Sequence, residues 1–218
     1  MSTAHPVPEL DLEAAVAHLR RGGLLGFPTE TVWGLAADAR SPEAVEALRR
    51  WKGREATRAL SVLVTGPAAL AALGAELPER ARRALGDLWP GPLTLVLPVR
   101  ASFAPGVANE AGGVGFRCSP HPLAAGLARR AEQTAVGPVT ATSLNRSGEP
   151  PARTRAEAFE LARRLGDPAL ALLAGEPDAG GGEPSTVVDL GTSPPRVLRR
   201  GPLGDPALGP LLAAERAA

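Results

Sequence analysis

A chain of 218 residues with 44% hydrophobic residues is long enough for one large domain or two small ones, and its formal net charge of +1 supplies no global field that would select a nucleic acid or a membrane. A single cysteine, Cys118, excludes an internal disulfide and suits a reducing compartment. No apolar run approaches the ~18 residues of a membrane span, and the N-terminus lacks a basic stretch followed by an apolar one, so a cytoplasmic location is expected.

Residues 9–22 read as a helix with Leu10, Ala14 and Leu19 among its apolar positions and Gly22-Gly23 as its stop. Residues 24–27 are a short apolar strand ended by Pro28, and the segment after it leaves that strand and turns toward a helix. Ser41-Pro42-Glu43 opens a helix running to about Trp51: a capping hydroxyl, a proline at the first position, and a carboxylate near the positive end of the dipole. A strand at 60–65 and short helices at 67–73 and 78–88 follow. Strands are expected at 93–98, 114–118 and 136–141, with a helix at 122–131 and a polar loop at 142–151. A helix at 157–165 and strands at 169–173, 186–190 and 196–198 complete the pattern. Helices and strands alternate throughout, which points to the α/β (α+β) class, with a twisted, largely buried mixed sheet flanked by helices. The Gly/Pro-rich stretch 175–184 reads as a mobile loop inside one domain, 1–204, because the strands after it are too few to form another. Residues 205–218 read as a tail that forms a short helix or frays.

Lys52 is the only lysine among 24 basic residues, and Asn109 and Asn145 are the only asparagines. In a chain that otherwise uses arginine for positive charge, a lone lysine is either a chance survivor or a residue kept for its compact ammonium. His5, His18, His121 and Cys118 lack the spacing of a zinc site, so no metal ligands are assigned. Gly53 follows the lysine, so there is no Walker A loop, and neither a dinucleotide fingerprint nor a G-x-S-x-G elbow is present.

Two segments hold candidate chemistry. Phe27-Pro28-Thr29-Glu30-Thr31-Val32-Trp33-Gly34-Leu35 brings hydroxyls and turn amides to a strand end; taken alone it reads more readily as a proline-led helix start capped by Thr29 or Thr31. Lys52, Arg54 and Arg58 place three cations where a helix gives way to a strand, which suits a polyphosphate, although taken alone the first reading is a helix C-terminus balancing its dipole.

Together with the rest of the chain these segments resemble the YrdC-like family of threonylcarbamoyl-AMP synthases. The matching elements follow in order: P-T-E-T-V-W-G-L, K-x-R, Trp89-Pro90-Gly91-Pro92-Leu93-Thr94, Val114 to Arg117 with His121-Pro122, Thr142-Ser143-Leu144-Asn145-Arg146-Ser147-Gly148, Pro184-Ser185-Thr186-Val187-Val188-Asp189, and Leu198-Arg199-Arg200-Gly201. The resemblance spans almost everything from Gly23 to Gly201, and the ordered set is far more specific than any one element. Glu55 and Ala59 stand where prolines are common, Leu144 replaces an alanine, Leu63 stands where part of the family has a histidine, and Trp33 replaces the commoner tyrosine. The chain ends soon after L-R-x-G, so the extra C-terminal domain of longer members is expected to be absent.

What the resemblance implies is a nucleotidyltransferase that makes threonylcarbamoyl-AMP and pyrophosphate from L-threonine, bicarbonate or CO2, and ATP, for modification of tRNA. It implies catalytic roles for Lys52 and Arg54, ATP contacts for Arg54, Arg58, Ser143, Asn145 and Arg199, and threonine contacts for Thr31, Arg117 and Ser185, with Arg117 on the carboxylate. It also implies Mg2+ arriving with ATP, a downstream tRNA-modifying transferase, and room for direct tRNA contact. Two other readings use the same residues: a non-catalytic RNA-binding module, disfavoured by 3% aromatic residues and no tyrosine for stacking, and a paralogue with a different carbamoyl acceptor.

Overall fold

A computed structural model describes residues 6–53, 59–134 and 136–213. The chain begins with a two-residue strand, β1 (Glu9–Leu10), and helix α1 (Leu12–Arg20), rather than one helix over 9–22. The cause is Asp11, whose carboxylate accepts the Ala14 amide at 2.8 Å and starts the helix there, leaving Glu9 and Leu10 extended. Strand β2 (Leu24–Phe27) does not turn toward a helix: it folds back through residues 28–33 into the antiparallel strand β3 (Gly34–Ala36). Helix α2 (Pro42–Lys52) has the expected start, with Ser41 Oγ accepting from the Ala44 amide at 3.1 Å, and ends at Gly53 with φ 58°. Then come β4 (Ser61–Leu63), α3 (Pro67–Ala72), α4 (Glu79–Leu88), β5 (Leu93–Pro98), β6 (Gly113–Arg117) and α5 (Pro122–Glu132). The last elements are β7 (Thr142–Ser143), α6 (Arg155–Leu165), β8 (Leu170–Leu173), β9 (Thr186–Asp189), β10 (Arg196–Arg199) and α7 (Asp205–Leu212).

The α/β class is as expected, but the strands form two five-stranded mixed sheets, ordered β1-β8-β2-β3-β7 and β10-β9-β5-β6-β4. Strands β2 and β8 are largely apolar runs buried along their whole length, as suits strands inside a covered sheet, and β6 is buried throughout as well although it alternates between glycine and larger residues and ends in Arg117. Residues 136–141, expected as a strand, make only isolated bridges, from Val139 to Asp38 and from Thr140 to Val62. They run between the sheets. Thr140 N and Ala39 N bond to Ala37 O and Pro138 O on the side that continues β3, and Leu63 N and Ala141 N bond to Val139 O and Ser61 O on the β4 side. The fully buried Thr140 hydroxyl completes the junction, accepting from the Ala37 amide at 2.9 Å and donating to Leu35 O at 3.2 Å. A segment shared by two sheets cannot keep a regular ladder with either.

One core cluster joins Trp33, Leu35, Leu48, Phe116 and Leu144; a second lies under α1 and α5, with Leu19, Leu25, Leu127 and Leu173. The segment read as a tail from 205 forms α7, which packs on α4 and buries Leu208 and Leu211 in the first cluster.

Candidate active site

A cavity of about 630 Å3 opens where the β2–β3 turn faces β4, β5, β6 and the start of β9. Strand alternation shapes it. In Gly113-Val114-Gly115-Phe116-Arg117, Val114 and Phe116 point into the core, while positions 113, 115 and 117 face the cavity. Two of those three are glycines, so Arg117 is the one side chain that β6 sends to the cavity. The same alternation sends Thr94 and Val96 of β5, and Ser185 and Val187 around the start of β9, to the cavity and their neighbours to the core.

Thr31, Arg117, Ser143, Ser185 and Arg199, all named from sequence, line this one cavity. Lys52 and Asn145 lie outside its lining, and Arg54 and Arg58 lie outside the described residues. Thr29, Ser61 and Thr94 line it too, although no role was read for them; Thr29 and Thr94 stood inside recognised motifs.

The hydroxyls have definite directions. Thr29 Oγ1 donates to Val32 O at 2.6 Å, an atom that can only accept, so the 2.9 Å contact between the Thr29 and Thr31 hydroxyls is a donation from Thr31. The remaining lone pairs of Thr31 are therefore open to a ligand N–H or O–H. Ser185 Oγ lies 2.8 Å from Thr94 Oγ1 and accepts from Arg199 Nη2 at 3.1 Å, while Arg199 Nε donates to Ser185 O at 2.9 Å. Arg199 is thereby latched across β9, its bonded end partly buried while the residue as a whole stays accessible.

Arg117 is 4% exposed. Its Nη2 forms a close ion pair with Glu30 Oε1. Burial pushes the guanidinium down from its ordinary pKa, the charge of Arg199 adding to this, and Arg199 is itself lowered by burial. The paired Glu30 carboxylate is the acidic group that faces the Arg117 guanidinium. Cys118, next in the chain, is held as the thiol by burial and donates to Thr65 O at 3.4 Å.

Lys52, 2% exposed, reaches into the 143–147 loop. Its ammonium meets Ser143 O at 2.5 Å, Asn145 O at 3.0 Å and Asn145 Oδ1 at 2.9 Å. Ser147 N bonds back to Lys52 O at 2.8 Å, and the Arg146 guanidinium caps the last carbonyls of α2 at Arg50 and Trp51. Ser143 Oγ then donates to Asn145 Oδ1 at 2.7 Å. The K-x-R and S-L-N elements, more than ninety residues apart, thus form one unit beside the cavity.

The 175–184 stretch, expected as a mobile loop, is tied to the opposite wall. Gly180 N and Gly182 N bond to Thr29 O at 3.0 Å and Thr31 O at 2.9 Å. The Asp178 carboxylate accepts from the Trp33 indole at 2.8 Å and from the Arg155 and Ala179 amides at 2.7 Å each. Burial raises the Asp178 pKa, but these donors outweigh it and hold the group below the usual carboxylate range. The indole that replaces the commoner tyrosine thus has its own acceptor. A Cβ on Gly180 would sit 2.1 Å from Glu30 O. Gly180→Ala is therefore expected to force the strap off the β2–β3 turn and destabilise the protein by about 1–3 kcal/mol, read as a lower melting temperature and a weaker affinity for whatever Thr31 binds.

Fold and site together define an α/β domain with a cavity lined by two guanidiniums and several oriented hydroxyls, an arrangement of the kind found in enzymes. The Sua5/YciO/YrdC family profile, described as "Telomere recombination", matches residues 17–201, and the chain belongs to that family. It is 40% identical over 162 residues to a threonylcarbamoyl-AMP synthase of Stenotrophomonas maltophilia, covering 73% of this chain and 84% of that one. It is 35% identical over 207 residues to a putative threonylcarbamoyl-AMP synthase of Mycobacterium tuberculosis, covering 94% and 90%. The crystal structure of P. abyssi Sua5 complexed with L-threonine superposes with a TM-score of 0.77 at 33% identity, over 87% of this chain and 54% of that one, so this chain spans about half of that protein.

Proposed function

We propose that this protein is an L-threonylcarbamoyladenylate synthase. The observation that carries the reading is the convergence of Thr31, Arg117, Ser143, Ser185 and Arg199, from five separate motifs, on one cationic cavity. The threonine amine adds to CO2 with loss of a proton, giving a carbamate. A carbamate oxygen attacks the α-phosphorus of ATP, the α–β anhydride bond breaks, and pyrophosphate leaves. The attacking oxygen already carries charge, so the site needs no strong base, and a cavity built of hydroxyls and guanidiniums suits the step. Arg117 takes the threonine carboxylate as a forked donor, and Thr31 and Ser185 face the rest of the amino acid. Ser143, Asn145 and Arg199 flank the nucleotide, with Lys52 bracing the loop that carries the first two. Arg54 and Arg58 belong to the phosphates in this reading. Mg2+ comes with ATP, held by phosphate oxygens and water. The product passes to a tRNA-modifying transferase. Among the described residues no helix is long and apolar enough to cross a membrane.

L-Threonine is expected to stimulate conversion of ATP to AMP and pyrophosphate in the presence of bicarbonate, and L-serine, lacking the methyl group, to do so less. Coupled pyrophosphate detection measures both. Release of ADP and phosphate, or no response to threonine, would remove the assignment.

A further inference from the structure

Glu30 lies inside a recognised motif, but the reaction above gives it nothing to do. It is absent from the cavity lining while its partner Arg117 is present, so the acid sits behind the guanidinium. Glu30 Oε1 and Arg117 Nη2 face only each other; neither atom has another partner among the described residues. Glu30 Oε2 accepts from Ser119 Oγ at 2.5 Å, and that hydroxyl in turn accepts from the His121 amide at 3.2 Å. The Glu30 backbone is clamped as well. The strap bonds to the carbonyls on either side of it, Thr29 O and Thr31 O, and packs so closely on Glu30 O that only glycine fits at 180. The carboxylate is thus held by Arg117 and Ser119 on a backbone that the strap fixes in place. By contrast, the other contacts of the Arg117 fork are long, 3.4 Å from Nη1 to Leu93 O and 3.5 Å to Cys118 O, near the limit of useful hydrogen bonds.

We propose that Glu30 is a positioning residue that holds the Arg117 guanidinium from behind, in one orientation, so that its cavity-facing edge meets the carboxylate of the amino-acid substrate. The proposal rests on the assignment of Arg117 to that carboxylate. It divides the work as metal sites do, where an outer group fixes the orientation of the group that touches the ligand. Ser119 and Gly180 act one layer further out, by fixing Glu30.

The test compares L-threonine with L-threoninamide, which keeps the amine and hydroxyl but lacks the carboxylate, by calorimetric titration of the full chain. For the unsubstituted protein, threonine is expected to bind far more tightly. Glu30→Gln, nearly isosteric, is expected to weaken threonine by about tenfold, the loss of roughly one well-aligned charge-assisted bond, while leaving threoninamide and ATP binding unchanged. Glu30→Asp, which keeps the charge on a shorter arm, is expected to recover part of the loss. A gain in threonine affinity on Glu30→Gln would show that the acid competes with substrate and would overturn the proposal. Equal weakening of threonine and threoninamide would overturn it in favour of a general structural role. Equal affinity of the unsubstituted protein for the two ligands would instead overturn the assignment of Arg117, and the proposal with it.

Discussion

Arg117→Ala is expected to remove threonine use while leaving ATP binding close to intact. The side chain is almost wholly buried on the middle of three strands, with β4 on one side and β5 on the other, and two side-chain-free positions lie along the same face. Losing it has two consequences. The ligand carboxylate loses a forked, charge-assisted partner. In addition, Glu30, whose side chain is 21% exposed, is left as an unbalanced carboxylate behind the place where another carboxylate must sit. Truncating one partner of a buried charge pair typically costs about 2–5 kcal/mol, or roughly 30- to several-thousand-fold in affinity. Separate calorimetric titrations of threonine and ATP check the division of roles. Arg117→Ala combined with Glu30→Gln should recover part of the threonine affinity by removing the repulsion. Equal loss of both ligands in the single variant would contradict the division.

Lys52→Arg is the second large effect. Three oxygens of the 143–147 loop close around the ammonium, within 3.0 Å. A guanidinium is broader and holds its donors in one plane, so it cannot meet three converging acceptors in that volume. Either the loop moves outward, displacing Ser143 and Asn145, or the arginine leaves its acceptors unpaired. Overpacking of this kind costs about 1–3 kcal/mol in stability, and a displaced loop is expected to lower the rate of adenylate formation by roughly 30- to 1000-fold, about 2–4 kcal/mol in the barrier. Melting curves and single-turnover rates separate the two terms. An unchanged rate and melting temperature would show that the lone lysine is an accident of composition.

How far the structure was legible follows from the range of each interaction. Helix α2 was readable because Ser41, Pro42 and Gly53 are local signals of its two ends. Strand β3 was not: Gly34 is a poor strand residue, and it is tolerated because the Phe27 ring occupies the space where its Cβ would be, 2.6 Å from the ring. The 136–141 segment has strand composition, but its position between two sheets depends on Ala37 and Ser61, far away in sequence. Within the site, the cavity-facing residues of β6 and β9 followed from ordered motifs. The supporting contacts did not, because Lys52 to Asn145, Trp33 to Asp178 and Glu30 to Ser119 join residues 93, 145 and 89 positions apart. The lone lysine among arginines and the Ser143–Asn145 motif were each visible in the sequence, but their contact with one another was not.

The most direct test of the whole account is to identify the product. The protein is incubated with L-threonine, ATP, Mg2+ and 13C-bicarbonate, and the adenylate is analysed by mass spectrometry. The account predicts an adenylate containing threonine and one 13C atom, formed together with one equivalent of pyrophosphate. A threonyl adenylate without the labelled carbon, or ADP with a phosphorylated product, would contradict it.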